Sequence, residues 1–133
     1  MGSGIVVICA GGGGIPVVVT PAGTLRGIEA VVDKDFSAAL LAEHIAADAL
    51  LLLTDVPAVW TRWPQSEGEP IGRITSEALR RLSFAPGSMG PKVEAACRFV
   101  ERTGKVAAIG AIEDAEALLK GTAGTIVQYS AGR

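Results

Sequence analysis

A short, uninterrupted apolar run near the middle of the chain constrains the fold more than any other feature of the sequence. The run begins behind Asp48, contains Ala49 and four leucines, and ends abruptly at Thr54 and Asp55. It is much shorter than the roughly 20 apolar residues that a membrane-spanning helix requires. An apolar pattern that is continuous rather than alternating is typical of a strand covered on both faces. The run therefore predicts a central strand between layers of helices.

Segments with helical periodicity flank this central strand. One helix is predicted from an N-cap at Asp33 through Ala47. A second helix is predicted from about Gly90 through Thr103, with Gly104 as its C-cap. The remaining predicted elements are strands over 5–10, 15–20, 28–32, 105–110 and 125–129, and short helices that begin at Thr75 and at Glu113.

The alternation of these elements predicts the fold class. A strand, a helix and a further strand in succession imply parallel pairing with right-handed crossovers. A chain of 133 residues has room for one domain of ordinary size. We therefore predict a three-layer α/β fold, with a mainly parallel sheet flanked by helices, and a single domain over residues 1–133.

Composition and charge exclude several classes of protein. Hydrophobic residues make up 49% of the chain and charged residues 20%, which is unlike a disordered segment. Twelve basic residues against fourteen acidic ones give a net charge of −2, and no basic run is present, so we expect no nucleic-acid partner. No basic residue precedes the first apolar run, and no run is long enough for a membrane helix, so we expect neither a signal peptide nor a membrane partner.

The cysteines and the histidine favour structural interpretations. Cys9 and Cys97 lie among apolar neighbours and are too few and too scattered for a disulfide framework or a zinc site. Both are predicted to be core residues of a reduced, cytoplasmic protein. His44 is the only histidine, and so it has no second histidine with which to form a metal site.

Four consecutive glycines follow the predicted strand over 5–10. Such a loop exposes several backbone N–H groups that can cradle a small anion. The alternative is a flexible turn between two strands. A dinucleotide-binding fingerprint is excluded, because the glycine spacing fails at Pro16 in one register and at Val17 in the other. The candidate anion-binding residues are Gly11, Gly12, Gly13 and Gly14.

Two lysines lie in the first turns of predicted helices, where a cation is unfavourable unless an anionic group is near. Lys34 follows the predicted cap Asp33 and precedes Asp35, and Lys92 lies in the first turn of the later helix. The two positions together predict one shared anion, although each lysine could instead be a solvated surface charge. The later segment is not a P-loop, because Val93 stands where Ser or Thr is needed.

The end of the central strand is a further candidate site. Thr54, Asp55 and Val56 follow that strand, and ligands of open α/β sheets bind at the carboxyl ends of strands. The alternative is a polar strand end in which Asp55 accepts hydrogen bonds from loop N–H groups. Trp60 and Trp63 flank the next loop, where they could stack on a base or pack against the sheet.

Taken together, five segments in this order resemble the carboxyl-terminal half of the carbamate kinases, a branch of the amino acid kinase family. The segments are 5–17, 26–35, 47–56, 87–95 and 121–125. The resemblance implies reversible phosphoryl transfer between ATP and carbamate, with ADP and carbamoyl phosphate as products, in arginine metabolism. It implies that Lys34 lies by the reacting phosphoryl group, that Asp35 organises the catalytic lysines and that Lys92 stabilises the transferring group.

The resemblance also implies the ligand contacts. Nucleotide-binding residues would be Thr54, Asp55, Val56, Met89 and Gly90, and the four glycines would border the carbamate or carbamoyl phosphate site. Mg²⁺ would be held mainly by the nucleotide phosphates. The amino-terminal half of the family has no counterpart in this sequence, so we expect a homo-oligomer or association with such a half. Whether this chain alone is an enzyme stays open, and the alternative is a non-catalytic nucleotide-binding or assembly module.

Overall fold

A four-stranded sheet with helices on both faces organises the part of the chain that the computed structural model describes, residues 4–62, 67–85 and 87–129. In chain order the elements are β1 (Val17–Val19), β2 (Leu25–Gly27), α1 (Lys34–His44), β3 (Ala49–Thr54), β4 (Arg73–Thr75), α2 (Ser76–Arg80), α3 (Met89–Thr103), β5 (Val106–Ala111), a 3-10 helix (Ile112–Asp114), α4 (Ala115–Lys120) and β6 (Thr125–Gln128). No helix among these residues is long and apolar enough to cross a membrane.

The sheet has the strand order β3-β5-β6-β4 and is mainly parallel, as predicted. β3 pairs in parallel with β5 from Ala49 and Val106 to Thr54 and Ala111, and β4 pairs in parallel with β6. The pairing of β5 with β6 is antiparallel, which differs from the expectation of parallel crossovers. The six-residue helix α4 is about 9 Å long, too short to return along the length of β5. β6 therefore begins at the end of the sheet where β5 finishes.

The core lies on both faces of the sheet and creates three layers. Alternate residues of β3 point to opposite faces: Leu50 and Leu52 pack with α1 and α3, whereas Leu51 and Leu53 pack beside α4. Phe99 of α3 is fully buried in the larger cluster. The continuous apolar pattern of the central run is thus explained by cover on both sides.

Local capping chemistry sets the helix ends near the strand termini. The predicted N-cap Asp33 is confirmed, because its side chain accepts hydrogen bonds from the backbone N–H groups of Asp35 and Phe36 at 2.8 and 3.1 Å. The helix ends at His44, earlier than the predicted Ala47. Gly104 ends α3 in a left-handed conformation, as its position predicted.

The first 30 residues differ most from the prediction. The run over 5–10 is not a strand, and its side chains are exposed, Ile8 by 97%. A strand needs a hydrogen-bonded neighbour and cover, and no described element supplies either to this run. Cys9 is consequently exposed, so its interpretation as a core residue is wrong, whereas Cys97 is buried as predicted.

A short hairpin occupies the next part of this region. β1 lies inside the extended segment predicted over 15–20, and it pairs antiparallel with β2. Gly23, in the predicted turn, donates a backbone hydrogen bond to the carbonyl of Thr20 at 2.8 Å. The second strand of the hairpin ends at Gly27, so the strand predicted over 28–32 is not formed.

Candidate functional site

A cavity of about 350 Å³ opens at the carboxyl end of β3, beside the first turns of α1 and α3. Strand end and helix N-termini meet here because β3 follows α1 in the chain and α3 packs against α1. Six of the residues that the sequence singled out line this cavity, namely Lys34, Thr54, Asp55, Val56, Met89 and Lys92. The sequence-predicted candidates from three separate segments are therefore neighbours in space.

The two lysines converge on one carboxylate. Lys92 Nζ donates to Asp35 Oδ1 at 2.9 Å and to Oδ2 at 3.2 Å, and Lys34 Nζ lies 3.4 Å from Oδ2. Asp35 is 5% exposed and Lys92 is 8% exposed. The interpretation of a first-turn lysine as a solvated surface charge is therefore wrong for Lys92. Within the chain, the anion that both cations share is Asp35.

The backbone around each helix start fixes these side chains. The Asp33 cap holds the first turn of α1, which places Lys34 and Asp35 at the cavity end of the helix. α3 begins without a side-chain cap and without an acidic residue in its first turn, so no side chain of that turn balances the positive end of its dipole. Gly90 N–H donates to the carbonyl of Ala85 at 3.2 Å, which closes the preceding loop onto α3.

The strand end presents polar groups to the cavity. Thr54 Oγ1 donates to Asp55 Oδ1 at 3.0 Å, and both residues line the wall. This contact orients the carboxylate of Asp55 without burying it, since Asp55 is exposed. The polar strand end is thus held in position yet accessible.

The glycine loop lies beside the cavity and not in its wall. Gly13 packs so closely on the chain before α1 that a Cβ there would lie 2.3 Å from the carbonyl oxygen of Val32. The same ideal Cβ would lie 3.6 Å from the backbone nitrogen of Lys34. The structure therefore brings the loop to the start of α1. Gly11, Gly12, Gly14 and also Gly90 do not line the cavity.

The cavity wall also contains residues that the sequence did not identify as site residues. For one of them, Trp60, the sequence left open whether the side chain stacks on a base or packs against the sheet. Trp60 lines the cavity, and its indole Nε1 is buried with no hydrogen-bond partner among the described residues. Phe84 and Ala85 line it from the loop before α3, and Arg62 also lines it. The sequence pattern marked that loop only as irregular, so it carried no signal for these contacts. Trp63 lies outside the described residues.

The other titratable candidates lie away from the cavity. His44 Nδ1 is 2.8 Å from the carbonyl oxygen of Leu40 in its own helix. Burial raises the pKa of the Cys97 thiol to about 11, so this thiol is protonated at neutral pH. Lys120 pairs with Glu116 in the last turn of α4. Residues 4–62, 67–85 and 87–129 contain no group of three or more His, Cys, Asp or Glu side chains that could hold a metal ion.

Comparison with known proteins identifies the class to which this fold and cavity belong. A model of the amino acid kinase family matches residues 1–110. Because the match covers most of the chain, the chain belongs to the amino acid kinase family.

Within that family, the chain is similar to carbamate kinases. The carbamate kinase of Rhizobium meliloti (strain 1021) is 53% identical over 129 residues, which are 96% of this chain and 40% of the relative. That of Haemophilus influenzae is 48% identical over 92% of this chain and 39% of the relative. The solved structure of Giardia lamblia carbamate kinase bound to AMP-PNP superposes with a TM-score of 0.89 at 35% identity, over 95% of this chain and 45% of that chain. The resemblance to carbamate kinase is thus confirmed, and the chain spans about 40% of the length of the curated relatives it matches.

Proposed function

We propose that this chain is the nucleotide-binding part of a carbamate kinase-type phosphotransferase, which converts ATP and carbamate reversibly to ADP and carbamoyl phosphate. The observation that supports this most directly is the pair of lysines held by Asp35 on the wall of a cavity at the end of β3. The relatives named carbamate kinase support the substrates. In this proposal the protein works in the cytoplasm, in arginine metabolism.

The nucleotide occupies the cavity between β3 and α3 in this proposal. A volume of about 350 Å³ lies within the range of small-molecule sites. Thr54, Asp55 and Val56 would contact the nucleotide from the strand end, and Met89 from the start of α3. Gly90 would act through the loop that its N–H closes. Trp60 would supply an aromatic face to the base.

Lys34 and Lys92 act on the phosphoryl group that is transferred. Phosphoryl transfer depends on positioned positive charge, because negative charge spreads over the oxygens of the migrating group. Asp35 accepts hydrogen bonds from both lysines and so keeps their ammonium groups together. Mg²⁺, held mainly by the nucleotide phosphates, would neutralise part of the phosphate charge.

The four glycines border the carbamate or carbamoyl phosphate site in this proposal. Their loop offers backbone N–H groups without side chains, which suits a small anion. This proposal is supported by the close packing of Gly13 beside the start of α1, near the backbone of Lys34. Gly11, Gly12, Gly13 and Gly14 would thus lie near the phosphoryl group on which Lys34 acts.

The competing proposal is a non-catalytic nucleotide-binding or assembly module. Such a module would bind the nucleotide in the same cavity without transferring the phosphoryl group. A partner that supplies the remaining part of a carbamate kinase would complete the catalytic site. Residues 1–133 then form a single domain equivalent to the carboxyl-terminal half of that enzyme.

Two measurements separate these proposals. Isothermal titration of the folded protein with ADP and Mg²⁺ is expected to give saturable heat under both. ATP formation from carbamoyl phosphate and ADP is then followed with and without the purified amino-terminal half of a related carbamate kinase. Turnover only with both parts supports the kinase, and nucleotide binding without turnover in the mixture supports the non-catalytic module. No binding of ADP would contradict both.

A further inference from the structure

The segment over 121–125 joins α4 to β6 and contains none of the site residues proposed above, although it is the last of the five segments that resemble the carbamate kinases. Gly124 has a φ of +69°, and a Cβ on it would lie 2.6 Å from the carbonyl oxygen of Ile109 in β5. Only glycine allows the chain to pass so close to β5 in this conformation. The next residue, Thr125, therefore begins β6 directly beside Ile109.

The side chain of Thr125 joins two other parts of the chain. It is fully buried, and its Oγ1 accepts a hydrogen bond from the Val59 N–H at 2.9 Å and donates one to the Ile71 carbonyl oxygen at 2.5 Å. The two partners lie 66 and 54 positions away in the sequence. A buried hydroxyl is unfavourable unless it is hydrogen-bonded, and this one acts as donor and acceptor at once.

Val59 connects this hydroxyl to the wall of the cavity. Its side chain is fully buried in the core, whereas its neighbours Ala58 and Trp60 line the cavity. The carbonyl oxygen of Val59 accepts a hydrogen bond from the Ile71 N–H at 2.7 Å. Both backbone polar groups of Val59 are thus held, one by Thr125 and the other by Ile71. These contacts fix the wall segment, residues 58–62.

We propose that Thr125 is a positioning residue for nucleotide binding, because its hydroxyl holds the wall segment where that segment forms one side of the cavity. Thr125 does not line the cavity itself, so it acts through Val59. Without the hydroxyl, the Val59 N–H and the Ile71 carbonyl would each lose a buried partner, which proteins avoid. The wall segment would then move to regain hydrogen bonds. The identity of the ligand rests on the proposed function, whereas the holding of the wall does not.

Amide hydrogen exchange of the ligand-free protein, followed by NMR, tests the holding of the wall. Thr125→Val keeps the shape of the side chain and removes the hydroxyl, and it is expected to speed exchange at Val59 about tenfold relative to Val100 in α3. Thr125→Ser keeps the hydroxyl and is expected to preserve the ratio of the two exchange rates. Thr125→Cys, whose thiol is a weak donor and acceptor, replaces Thr125→Val in the comparison if the latter does not fold.

Val127→Ala is the control for a general loss of stability, because Val127 is fully buried in the same strand and does not contact the wall segment through a side-chain hydrogen bond. It is expected to speed exchange at Val59 and Val100 alike. An unchanged ratio in the variant without the hydroxyl, or the same change in Thr125→Ser or Val127→Ala, would overturn the proposal.

Calorimetry with ADP and Mg²⁺ tests the consequence for the nucleotide. Thr125→Val is expected to weaken ADP binding about tenfold, with Thr125→Ser and Val127→Ala close to the unmodified chain. If the unmodified chain binds ADP and Thr125→Val binds it equally well, the positioning role is wrong and the proposed function stands. If the unmodified chain does not bind ADP, the proposed function is contradicted, and the exchange ratios still decide whether Thr125 holds the wall.

Discussion

Lys34 and Lys92 occupy similar helical positions, yet only one of them is buried. The side chain of Lys34 is 62% exposed and that of Lys92 is 10% exposed, against 8% for their shared partner Asp35. A charge inside the protein depends on its partner far more than a charge in water does. Removal of Lys34 is therefore expected to have little effect on folding, whereas removal of Lys92 is expected to destabilise the protein.

The first prediction separates the two lysines by their effect on stability. Lys92→Ala leaves the Asp35 carboxylate buried without its main partner, which is expected to lower the free energy of unfolding by about 3–5 kcal/mol. Lys34→Ala is expected to cost less than about 1 kcal/mol. Lys120→Ala, which removes an exposed pair in α4, serves as the control and is expected to be nearly neutral. Urea denaturation at pH 7 measures all three.

A double variant tests the cause of the loss at Lys92. In K92M/D35L both charges are replaced by apolar side chains of similar size, so no unpaired charge is buried. Stability is expected to recover most of what Lys92→Ala loses. If the double variant were as unstable as Lys92→Ala, the ion pair would not be the source of the effect.

The second prediction concerns Cys97 at alkaline pH. Burial raises the pKa of its thiol from 9.0 to about 11, while the unfolded chain keeps the ordinary value. The unfolded state therefore releases this proton first, and stability is expected to fall as the pH rises from 9 towards 11. At pH 10.5 the Cys97→Ala variant should escape about 1–2 kcal/mol of this loss. Urea midpoints at pH 8 and 10.5 measure the difference, and Cys9→Ser should behave like the unmodified chain.

At the scale of elements, one arginine joins α2 to α3. Arg80 Nε and Nη2 donate to the two carboxylate oxygens of Glu101 at 2.8 and 3.1 Å, and Nη1 contacts Glu94. These hydrogen bonds lower the pKa of Glu101 below its ordinary value of 4.5. The two-pronged geometry fixes the angle between the helices better than a single contact would.

The third prediction follows from this link. Arg80→Ala is expected to cost about 1 kcal/mol at pH 7, because the pairs are partly exposed and screened by water. A lowered pKa stabilises the fold above the unfolded value and is lost as the pH falls, so the unmodified chain should lose more stability than Arg80→Ala below about pH 4.5. Arg81→Ala removes the more exposed pair with Glu77 and should change neither quantity. A steeper acid dependence in Arg80→Ala would contradict the assignment.

The fourth prediction concerns the packing of the glycine loop, residues 11–14, against the start of α1. Gly13→Ala places a Cβ 2.3 Å from the Val32 carbonyl oxygen at a φ of +150°, so the loop must move. Gly12→Ala meets no atom within 4 Å and is the matched control. In the proposed kinase, Gly13→Ala is expected to weaken carbamoyl phosphate binding at least tenfold in calorimetry, about 1.4 kcal/mol, with ADP binding unchanged. Equal losses in both variants would contradict the loop's proposed role.

Local chemistry decided which elements could be predicted from sequence. The apolar patterns of β3 and α3 predicted the correct element type, and Asp33 and Gly104 act within a few residues of themselves. The run over 5–10 has an equally strong pattern, but a strand also needs a neighbour, and sequence pattern alone does not supply one. The antiparallel pairing of β6 with β5 depends on the short length of α4. The apolar pattern of the sequence did not determine that length.

At the scale of the whole molecule, the part of the cavity wall formed by the sheet could be predicted from the sequence. The part formed by loops could not be predicted. Thr54 and Asp55 could be placed because a strand end in a parallel sheet is a known binding position. Phe84 and Ala85 could not, because their place in the wall follows from how the loop closes on Gly90. The burial of Lys92 was also hidden, since it results from the packing of α3 against α1.

The contact between Lys92 and Asp35 connects residues 57 positions apart and belongs to two helices at once. An ammonium group has three N–H donors, and among the described residues Lys92 donates hydrogen bonds to the two carboxylate oxygens of Asp35 only. At least one donor direction is left for an oxygen arriving in the cavity. An incoming phosphate would therefore share this ammonium with Asp35 and need not replace it. In the proposed kinase, a phosphate could then bind to Lys92 Nζ and leave it again while the hydrogen bonds between Lys92 and Asp35 stay in place. Those hydrogen bonds would continue to join α1 and α3.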